Sequence, residues 1–233
     1  MADRKSRSNG QRADGTAEKL TKSAISREKV LAAAARIFSE RGYAGTTMRE
    51  IAKETGLQAG SLYYHYSSKE LLIEAVLDMG IHGVSDTVHD AIAAMPPSAS
   101  YADRIKTAIE AHLQGIMNFG DYALASRRVL GQVPVDVRRK HVRRRDAYGD
   151  YWVKLLDSAF AAGEIRPDID LKLARTFILG ALNSALEWYK PSGMSLDEVA
   201  TQFTRMIAAG LFAQDHDRDR DRAVARPPAQ ARA

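Results

Sequence analysis

Apolar residues recur every three or four positions along most of the chain, and the segments with this pattern end at glycines or prolines. Such spacing places apolar side chains along one face of an α-helix. The alternation of apolar and polar residues that marks a half-buried strand is missing, as are paired hairpin signals. The pattern therefore predicts an all-α fold.

Capping residues and helix breakers place the individual helices. Ser26 is the expected N-cap of the first helix, and Thr47 and Glu50 have the spacing of a capping box. Ser195 and Glu198 have the same spacing at the start of the last helix. The predicted helices cover about 27–41, 47–56, 58–64, 68–95, 101–119, 121–131, 135–162, 169–189 and 196–211.

The charge of the chain is concentrated near its start. Residues 1–70 contain 13 Lys and Arg against 8 Asp and Glu, and the remaining 163 residues contain 21 of each, so the first part carries the whole net charge of +5. A basic head on a neutral body is typical of a protein that brings one part to a polyanion. A basic tail over residues 1–22 without a function of its own is the alternative.

Composition excludes several classes of protein. The chain has no cysteine, which excludes disulfides, zinc–thiolate sites and thiol catalysis. No segment approaches the roughly 18 apolar residues of a membrane span, and residues 1–22 lack the apolar stretch of a secretory signal. We therefore expect a cytoplasmic protein that does not contact a membrane.

A helix-turn-helix is predicted between Thr46 and Leu72. Ala52 supplies the small side chain that two steeply crossing helices need at their closest approach, and Gly56 tolerates the positive φ of the turn. Leu62 is the apolar anchor of the second helix and is expected to pack on Ile51, and on Ile37 and Phe38 of the preceding helix. Together, these residues favour DNA binding.

The same stretch resembles a known family. The run GSLYYHY at 60–66, followed by SKELL at 68–72, closely resembles the signature of the TetR family of bacterial transcription regulators. The segment FSERGY at 38–43 and the paired threonines at 46–47 are also similar to that family. The specific match covers about residues 26–77.

The resemblance implies that the second helix of the motif lies in the major groove of DNA. Its first residues would then face base edges: Gln58, Ala59, Gly60 and Ser61. Gln58 suits adenine, Ser61 suits a base or a phosphate, and Ala59 suits a thymine methyl group. Small hydroxyl and basic or polar residues are more common in the family where this chain has Gln58 and Ala59. Fewer long side chains reach the bases here, so readout is expected to depend on DNA shape or on Arg49.

The resemblance also implies a set of contacts with the DNA backbone. Tyr63, His65 and Lys69 match positions that hold phosphates, and their side chains can all donate to an anionic oxygen. Thr47 and Arg49 open the preceding helix, where the family contacts the backbone and sometimes a base. For Tyr63 and Lys69, packing or solvation is the alternative; for Tyr66, burial is the expectation.

The last two predicted helices are apolar on more than one face. Residues 169–189 carry two apolar stripes, and residues 196–211 carry another. A helix that is apolar nearly all round has to be buried on both sides. We therefore expect a homodimer through residues 169–211, which agrees with family members that dimerise through their last two long helices. Burial of both stripes inside one monomer is the alternative.

The middle helices contain candidates for a largely apolar effector site, because aromatic and Met side chains with a few polar groups suit such a ligand. Ordinary core packing is the alternative for each of them. The candidates are His112, Met117, Phe119, Tyr122, Tyr148, Tyr151, Trp152, Phe177 and Asn183.

Two charged segments leave alternatives open. The basic segment 138–145 suits either the phosphates of a coenzyme A thioester or a solvated face paired with nearby acids. The Asp and His residues between 78 and 90 share one helical face, and solvation is expected there rather than a metal site. No cofactor is expected.

These observations predict four segments: a disordered basic tail (1–22), a helix-turn-helix DNA-binding domain (23–70), a larger helical ligand-binding and dimerisation domain (71–213) and a disordered tail (214–233). An enzyme is disfavoured because the P-loop, GxGxxG, GxSxG and HExxH motifs are missing. A non-specific architectural DNA binder is disfavoured by the neutral body. The predicted function is a ligand-responsive homodimeric regulator that binds double-stranded operator DNA, most simply a repressor.

Overall fold

The computed structural model of the chain describes residues 27–190 and 192–212. This part of the chain forms nine α-helices, and its one strand-like feature is an isolated antiparallel bridge between Ile165 and Phe212. The prediction of an all-α fold is confirmed. The helices are α1 (27–41), α2 (Met48–Thr55), α3 (Ala59–His65), α4 (Lys69–Ala93), α5 (Tyr101–Asn118), α6 (Gly120–Val129), α7 (Val135–Ala161), α8 (Leu171–Trp188) and α9 (Leu196–Leu211).

Both predicted capping boxes are present. The Thr47 hydroxyl accepts from the backbone N–H of Glu50, whose carboxylate accepts from the backbone N–H of Thr47. Ser195 and Glu198 make the same reciprocal pair at the start of α9. The predictions for residues 1–22, Ser26 and residues 214–233 lie outside the described residues.

The chain folds into two compact units. The first extends to Ile81 and also contains Phe119–Arg143, whereas the second contains His82–Asn118 and the chain from Arg144 onward. α4 and α7 therefore each begin in the first unit and end in the second. These units follow a different division from the domain boundary predicted at residues 70 and 71, which stays a prediction.

The core of the first unit holds the helix-turn-helix together. Leu62, the one fully buried side chain of α3, lies in the same apolar cluster as Ile51 of α2 and Phe38 of α1. Ala52 is also buried in this cluster, in agreement with its expected place at the close approach of α2 and α3. Val129 of α6 joins the same core, which explains why α6 belongs to this unit.

The second unit is a helical body in which α5 packs against both α8 and α9. Its core contains Leu113 of α5, Leu156 of α7 and Leu182 of α8, all completely buried. Gly115 lets α5 approach α4 closely, since a Cβ at this position would lie 3.1 Å from the Cα of Val84.

The turn at Gly56 offers a test of the local fold. Gly56 has φ +68, and a Cβ placed there would meet nothing within 4 Å, so a substitution meets backbone strain without a steric clash. We expect Gly56→Ala to lower the free energy of unfolding by about 1 kcal/mol because non-glycine residues disfavour this conformation. Chemical denaturation measures the change.

Gly60→Ala is the matched control. Gly60 lies in α3, has equally open space around its Cβ position and does not have a positive φ. Its replacement should leave stability unchanged or raise it slightly, because alanine is the better helix former. Equal losses in the two variants would contradict the assignment of the cost to the left-handed backbone at Gly56.

Candidate functional site

α3 is the helix predicted to enter the major groove, that is, the reading helix. The residue before it has an extended backbone and a side chain that does not cap the helix. Gln58 is the N-cap, with φ −66 and ψ 145, and its backbone carbonyl accepts from the N–H groups of Ser61 and Leu62. Its side chain makes no capping hydrogen bond. Gln58, Ala59, Gly60 and Ser61 are all exposed, so the four residues expected to face base edges lie together at the exposed start of one helix.

Two tyrosines project from α3 into solvent. Tyr63 is 47% exposed and Tyr64 is 83% exposed, whereas the adjoining Leu62 is fully buried. His65 is partly exposed and its ring meets that of Tyr64 edge-on, with 5.5 Å between the ring centroids. Tyr63 and His65 are therefore accessible for the predicted phosphate contacts. The predicted set omits Tyr64, although its place in a tyrosine run on this short helix pointed to the same surface.

Tyr66 is buried, as expected. It ends α3, and its hydroxyl accepts a hydrogen bond of 3.1 Å from the Nε of Arg27 on α1. The guanidinium of Arg27 also lies over the Tyr66 ring, 5.6 Å from its centroid, and the hydrogen bond raises the pKa of Arg27. These contacts tie the end of the reading helix to α1.

Lys69 has an internal role that the sequence did not reveal. Its Nζ donates to the backbone carbonyls of Tyr43 at 2.9 Å and Thr46 at 3.0 Å. The ammonium also lies 4.1 Å from the centroid of the Tyr43 ring, a cation–π distance. Two of its three N–H donors thus hold the turn between α1 and α2. The phosphate contact of Lys69 stays a prediction.

Thr47 and Arg49 differ in how much of their side chain is available. The Thr47 hydroxyl donates to Glu50 at 2.8 Å within the capping box, and this hydrogen bond lowers the pKa of Glu50. Glu50 also pairs with Arg41 at 3.1 Å. Arg49 is exposed and makes no hydrogen bond or ion pair with any residue that the structure describes. Arg49 is therefore the cation at the start of α2 that is available to DNA.

A polar cluster extends from the apolar core of the second unit to its surface, where Asn183 is exposed. The buried His112 has its Nδ1 2.8 Å from the Tyr148 hydroxyl and its Nε2 3.3 Å from the Asn183 side-chain oxygen. The amide oxygen of Asn183 can only accept, so Nε2 carries the proton and Nδ1 accepts from Tyr148. The ring of the fully buried Trp152 meets His112 edge-on, with 6.0 Å between the centroids.

Burial keeps this cluster uncharged. It lowers the pKa of His112 from 6.5 to about 4 and raises the pKa of Tyr148. Both groups are therefore neutral near pH 7. The cluster offers polar but uncharged contacts within an apolar surrounding.

The other predicted effector residues are dispersed. Met117 and Tyr151 pack against the apolar core of the second unit, where Tyr151 also meets the ring of His89 at 4.2 Å. Phe119 and Tyr122 belong to the first unit, with their ring centroids 6.2 Å apart. The structure thus brings three of the other eight candidates, Tyr148, Trp152 and Asn183, into contact with His112.

Phe177 lies on an exposed surface instead. It is 66% exposed on α8, near an open groove of about 580 Å³ that it lines together with Leu173 and with Met206 of α9. Trp188, on the same α8 stripe, is also exposed and stacks on Phe203 with 6.0 Å between the centroids. Among the described residues, this stripe of α8 is therefore exposed at Leu173, Phe177 and Trp188, and Phe177 belongs to it rather than to the interior.

The basic segment 138–145 is partly paired with acids. Arg139 meets Asp136 at 3.2 Å and Arg145 meets Asp146 at 3.1 Å. Lys140 pairs with Glu74 of α4 at 2.9 Å. These pairs favour the solvated face over a site for a phosphate-bearing ligand.

In the described part of the chain, no helix is both long and apolar enough to span a membrane.

Two segments of the chain match known family models. Residues 30–76 match the family model of bacterial regulatory proteins of the tetR family, and residues 98–211 match the tetracyclin repressor-like C-terminal domain. The HTH-type transcriptional repressor KstR2 of Mycolicibacterium smegmatis is 30% identical over 202 residues, which cover 82% of this chain and 93% of the relative.

Solved structures show the same fold. The ketosteroid transcriptional regulator KstR2 of Mycobacterium tuberculosis superposes with a TM-score of 0.71 at 25% identity, covering 81% of this chain and 95% of that one. AibR in complex with isovaleryl coenzyme A and operator DNA gives a TM-score of 0.68 at 23% identity, covering 78% and 97%. With an exposed reading helix, two matching family models and a relative matched over 93% of its length, the chain belongs to the TetR family of bacterial transcription regulators, and it is a DNA-binding regulator rather than an enzyme.

Proposed function

We propose that this protein is a cytoplasmic homodimeric repressor that leaves a near-palindromic operator when a small, largely apolar ligand binds its helical body. The observation that carries the proposal is the exposed start of α3. Four exposed residues, which are small or make no capping hydrogen bond, precede two exposed tyrosines there. A helix presented in this way suits insertion into the major groove.

In the proposed complex, the start of α3 reads bases. Gln58 makes a bidentate contact with adenine, Ser61 donates to a base or phosphate, and Ala59 touches a thymine methyl group. Gly60 lets the backbone approach closely, because its Cβ position is open. Short side chains reach few base edges, so the width and flexibility of the groove contribute to specificity.

Backbone contacts supply much of the affinity in this proposal. Tyr63 and His65 donate to phosphates from α3, and Arg49 donates from the start of α2. Thr47 donates to a phosphate only by giving up a hydrogen bond to Glu50. Lys69 adds its positive charge to this surface while its donors hold the turn before α2. Phosphate contacts of this kind make binding dependent on salt.

Dimerisation is proposed through α8 and α9. The exposed apolar side chains of Leu173, Phe177 and Met206 form a continuous surface with the groove between them, and contiguous apolar patches mark association sites. Gly180, exposed on the same stripe, permits close approach of a second helix. A two-fold pair of α8–α9 surfaces would present two reading helices about one turn of DNA, or a small multiple, apart, which gives the operator its near-palindromic form.

The neutral cluster around His112 is the proposed polar anchor of the effector site. Because the ring and its Tyr148 and Asn183 partners are uncharged, the cluster suits a carbonyl or hydroxyl group on an otherwise apolar molecule. The ketosteroid regulator KstR2 and the isovaleryl-CoA complex of AibR are consistent with a lipid-like ligand or an acyl-CoA. α4 begins next to the reading motif and ends in the second unit, so a ligand that prefers one position of α4 would shift DNA affinity by its differential affinity for the two states.

Selection of binding sites from random DNA, followed by footprinting, tests the proposal. Duplexes selected from a random-sequence pool, and the DNA upstream of its own gene, are footprinted with the purified protein. Two-fold symmetric protection that resists competitor DNA is expected. An architectural binder would instead protect DNA without sequence preference.

Tyr63→Phe tests the phosphate contacts. The variant keeps the aromatic ring and loses only the hydroxyl donor, so operator affinity should fall, whereas the salt slope of the logarithm of the binding constant should stay the same, because a neutral hydroxyl releases no counterion. Fluorescence anisotropy over a salt series measures both quantities. Tyr101→Phe, an identical change in the second unit, should leave both quantities at the values of the parent protein. An operator affinity of Tyr63→Phe equal to that of the parent would remove this residue from the contact set.

Phe177→Glu tests the dimer. A carboxylate on the exposed stripe of α8 would be desolvated in the interface without a partner, so the protein should sediment as a monomer and bind the full operator weakly. Phe160→Glu makes the same change at another exposed phenylalanine, on α7, and should leave the dimer intact. If both Phe177→Glu and Phe160→Glu remain dimers, the interface lies elsewhere.

His112 gives a pH dependence that reports on the neutral cluster. Its pKa is lowered to about 4 from 6.5 by burial, so between these values the unfolded state binds more protons than the folded state. Stability is therefore lost as pH falls from about 6.5 to about 4, by about 2–3 kcal/mol from this residue. His112→Gln should flatten the pH profile of the unfolding free energy in this window. A pH profile of His112→Gln with the slope of the parent protein in this window would contradict the assignment.

A further inference from the structure

The turn between α1 and α2 is held from two sides. Lys69 bonds the carbonyls of Tyr43 and Thr46. On another side lies Gln132, from the loop between α6 and α7. Its Oε1 accepts from the backbone N–H of Ala44 at 3.1 Å, and its Nε2 donates to the backbone carbonyl of Arg128 at 3.1 Å. The amide thus connects the end of α6 with Ala44, which is 88 residues from Gln132 in sequence.

The Gln132 amide occupies the space left by the absent side chain at position 42. Gly42 has φ +74, and a Cβ there would lie 2.8 Å from Oε1 and 2.9 Å from Nε2 of Gln132. The side-chain amide therefore rests directly on the backbone of the turn. From the sequence alone, Gly42 is explained by the end of α1. The structure adds that the side-chain amide of Gln132 lies where a Cβ of residue 42 would be.

Gln132 is itself firmly placed. Its backbone N–H donates to the carbonyl of Val129 at 2.7 Å, and that of Val133 donates to the same carbonyl at 3.1 Å. Val129 and Val133 are both buried in the core of the first unit. The Gln132 side chain thus extends from a loop whose backbone is fixed to the core of the first unit.

The turn that Gln132 holds sets the position of the reading motif. The Thr46 hydroxyl, fully buried, donates to the Gly42 carbonyl at 2.7 Å, and the next residue, Thr47, caps α2. α2 in turn carries Ile51, which shares a core with Leu62 of α3. A displacement of the turn would therefore displace both helices of the motif.

We propose that Gln132 is a positioning residue for DNA recognition: from the α6–α7 loop, it holds the 42–46 turn in the conformation in which α2 and α3 fit the operator. The inference rests on the DNA-binding function. It differs from a role in stability alone, because a positioning residue changes the fraction of folded protein that is competent to bind, and apparent affinity falls with that fraction.

Gln132→Met is the principal test. Methionine keeps the length and most of the volume over Gly42 and loses both hydrogen bonds. With the duplex that the parent protein selects from a random pool, we expect the dissociation constant to rise about five-fold, since losing hydrogen bonds of this kind lets other turn conformations compete. Affinity for an unrelated duplex should stay the same, so the ratio of specific to non-specific affinity falls. Measurements are made well below the unfolding transition of both proteins.

Gln114→Met is the matched control. Gln114 donates one exposed side-chain hydrogen bond, to Asn118 within α5 at 3.0 Å, and lies in the second unit. Its replacement should leave both affinities unchanged. Hydrogen exchange gives an independent readout, in which the amide of Ala44 should exchange faster in Gln132→Met and at the parent rate in the control.

The outcomes are separable. If the parent selects no duplex, the DNA-binding function itself fails. If the parent selects one and Gln132→Met binds it with the parent's affinity and specificity ratio, the positioning role is overturned. Should Gln132→Met fold poorly, Gln132→Asn, whose amide is one methylene too short to reach both partners, takes its place with the same expected loss of specificity.

Discussion

The function of this protein depends on the burial of one leucine. α3 has only seven residues, far fewer than the roughly 12–15 that an isolated helix needs to be even marginally stable in water. It is helical because Leu62 is inserted among the side chains of α1 and α2, and because Tyr66 is tied to Arg27 at its end. Once Leu62 points inward, the helical period directs Tyr63, Tyr64 and the first residues of α3 outward. The surface offered to DNA is thus a consequence of the core beneath it.

Much of this arrangement is local and was predictable. The capping boxes at Thr47 and Ser195 involve residues three positions apart, and the turn at Gly56 is a property of a single residue. Helical periodicity separates Leu62 from its exposed neighbours without any knowledge of what it packs against. For these reasons the helices and the motif followed from the sequence pattern, whereas the candidates for base contact followed from the family resemblance.

The contacts that the sequence did not reveal are those between distant residues. The bonds of Lys69 to the 43–46 turn span 23 and 26 positions, and the bond of Gln132 to Ala44 spans 88. Nothing in the local pattern distinguishes such a lysine from one that faces a phosphate, since an exposed stem and a charged end serve both purposes. The same holds for His112, whose two partners lie 36 and 71 positions away. Only the folded chain decides which polar groups meet.

α8 shows a different limit of pattern analysis. Its sequence gives two apolar stripes, but the period of a helix does not say which stripe faces the interior. In the structure, Ile178, Leu182 and Ala185 are buried, whereas Leu173 and Phe177 remain outside. An aromatic side chain on the outer stripe cannot also line an interior effector site of the same chain. The candidates for ligand contact and those for self-association are therefore separate sets, and a change to one face of α8 leaves the residues of the other in place.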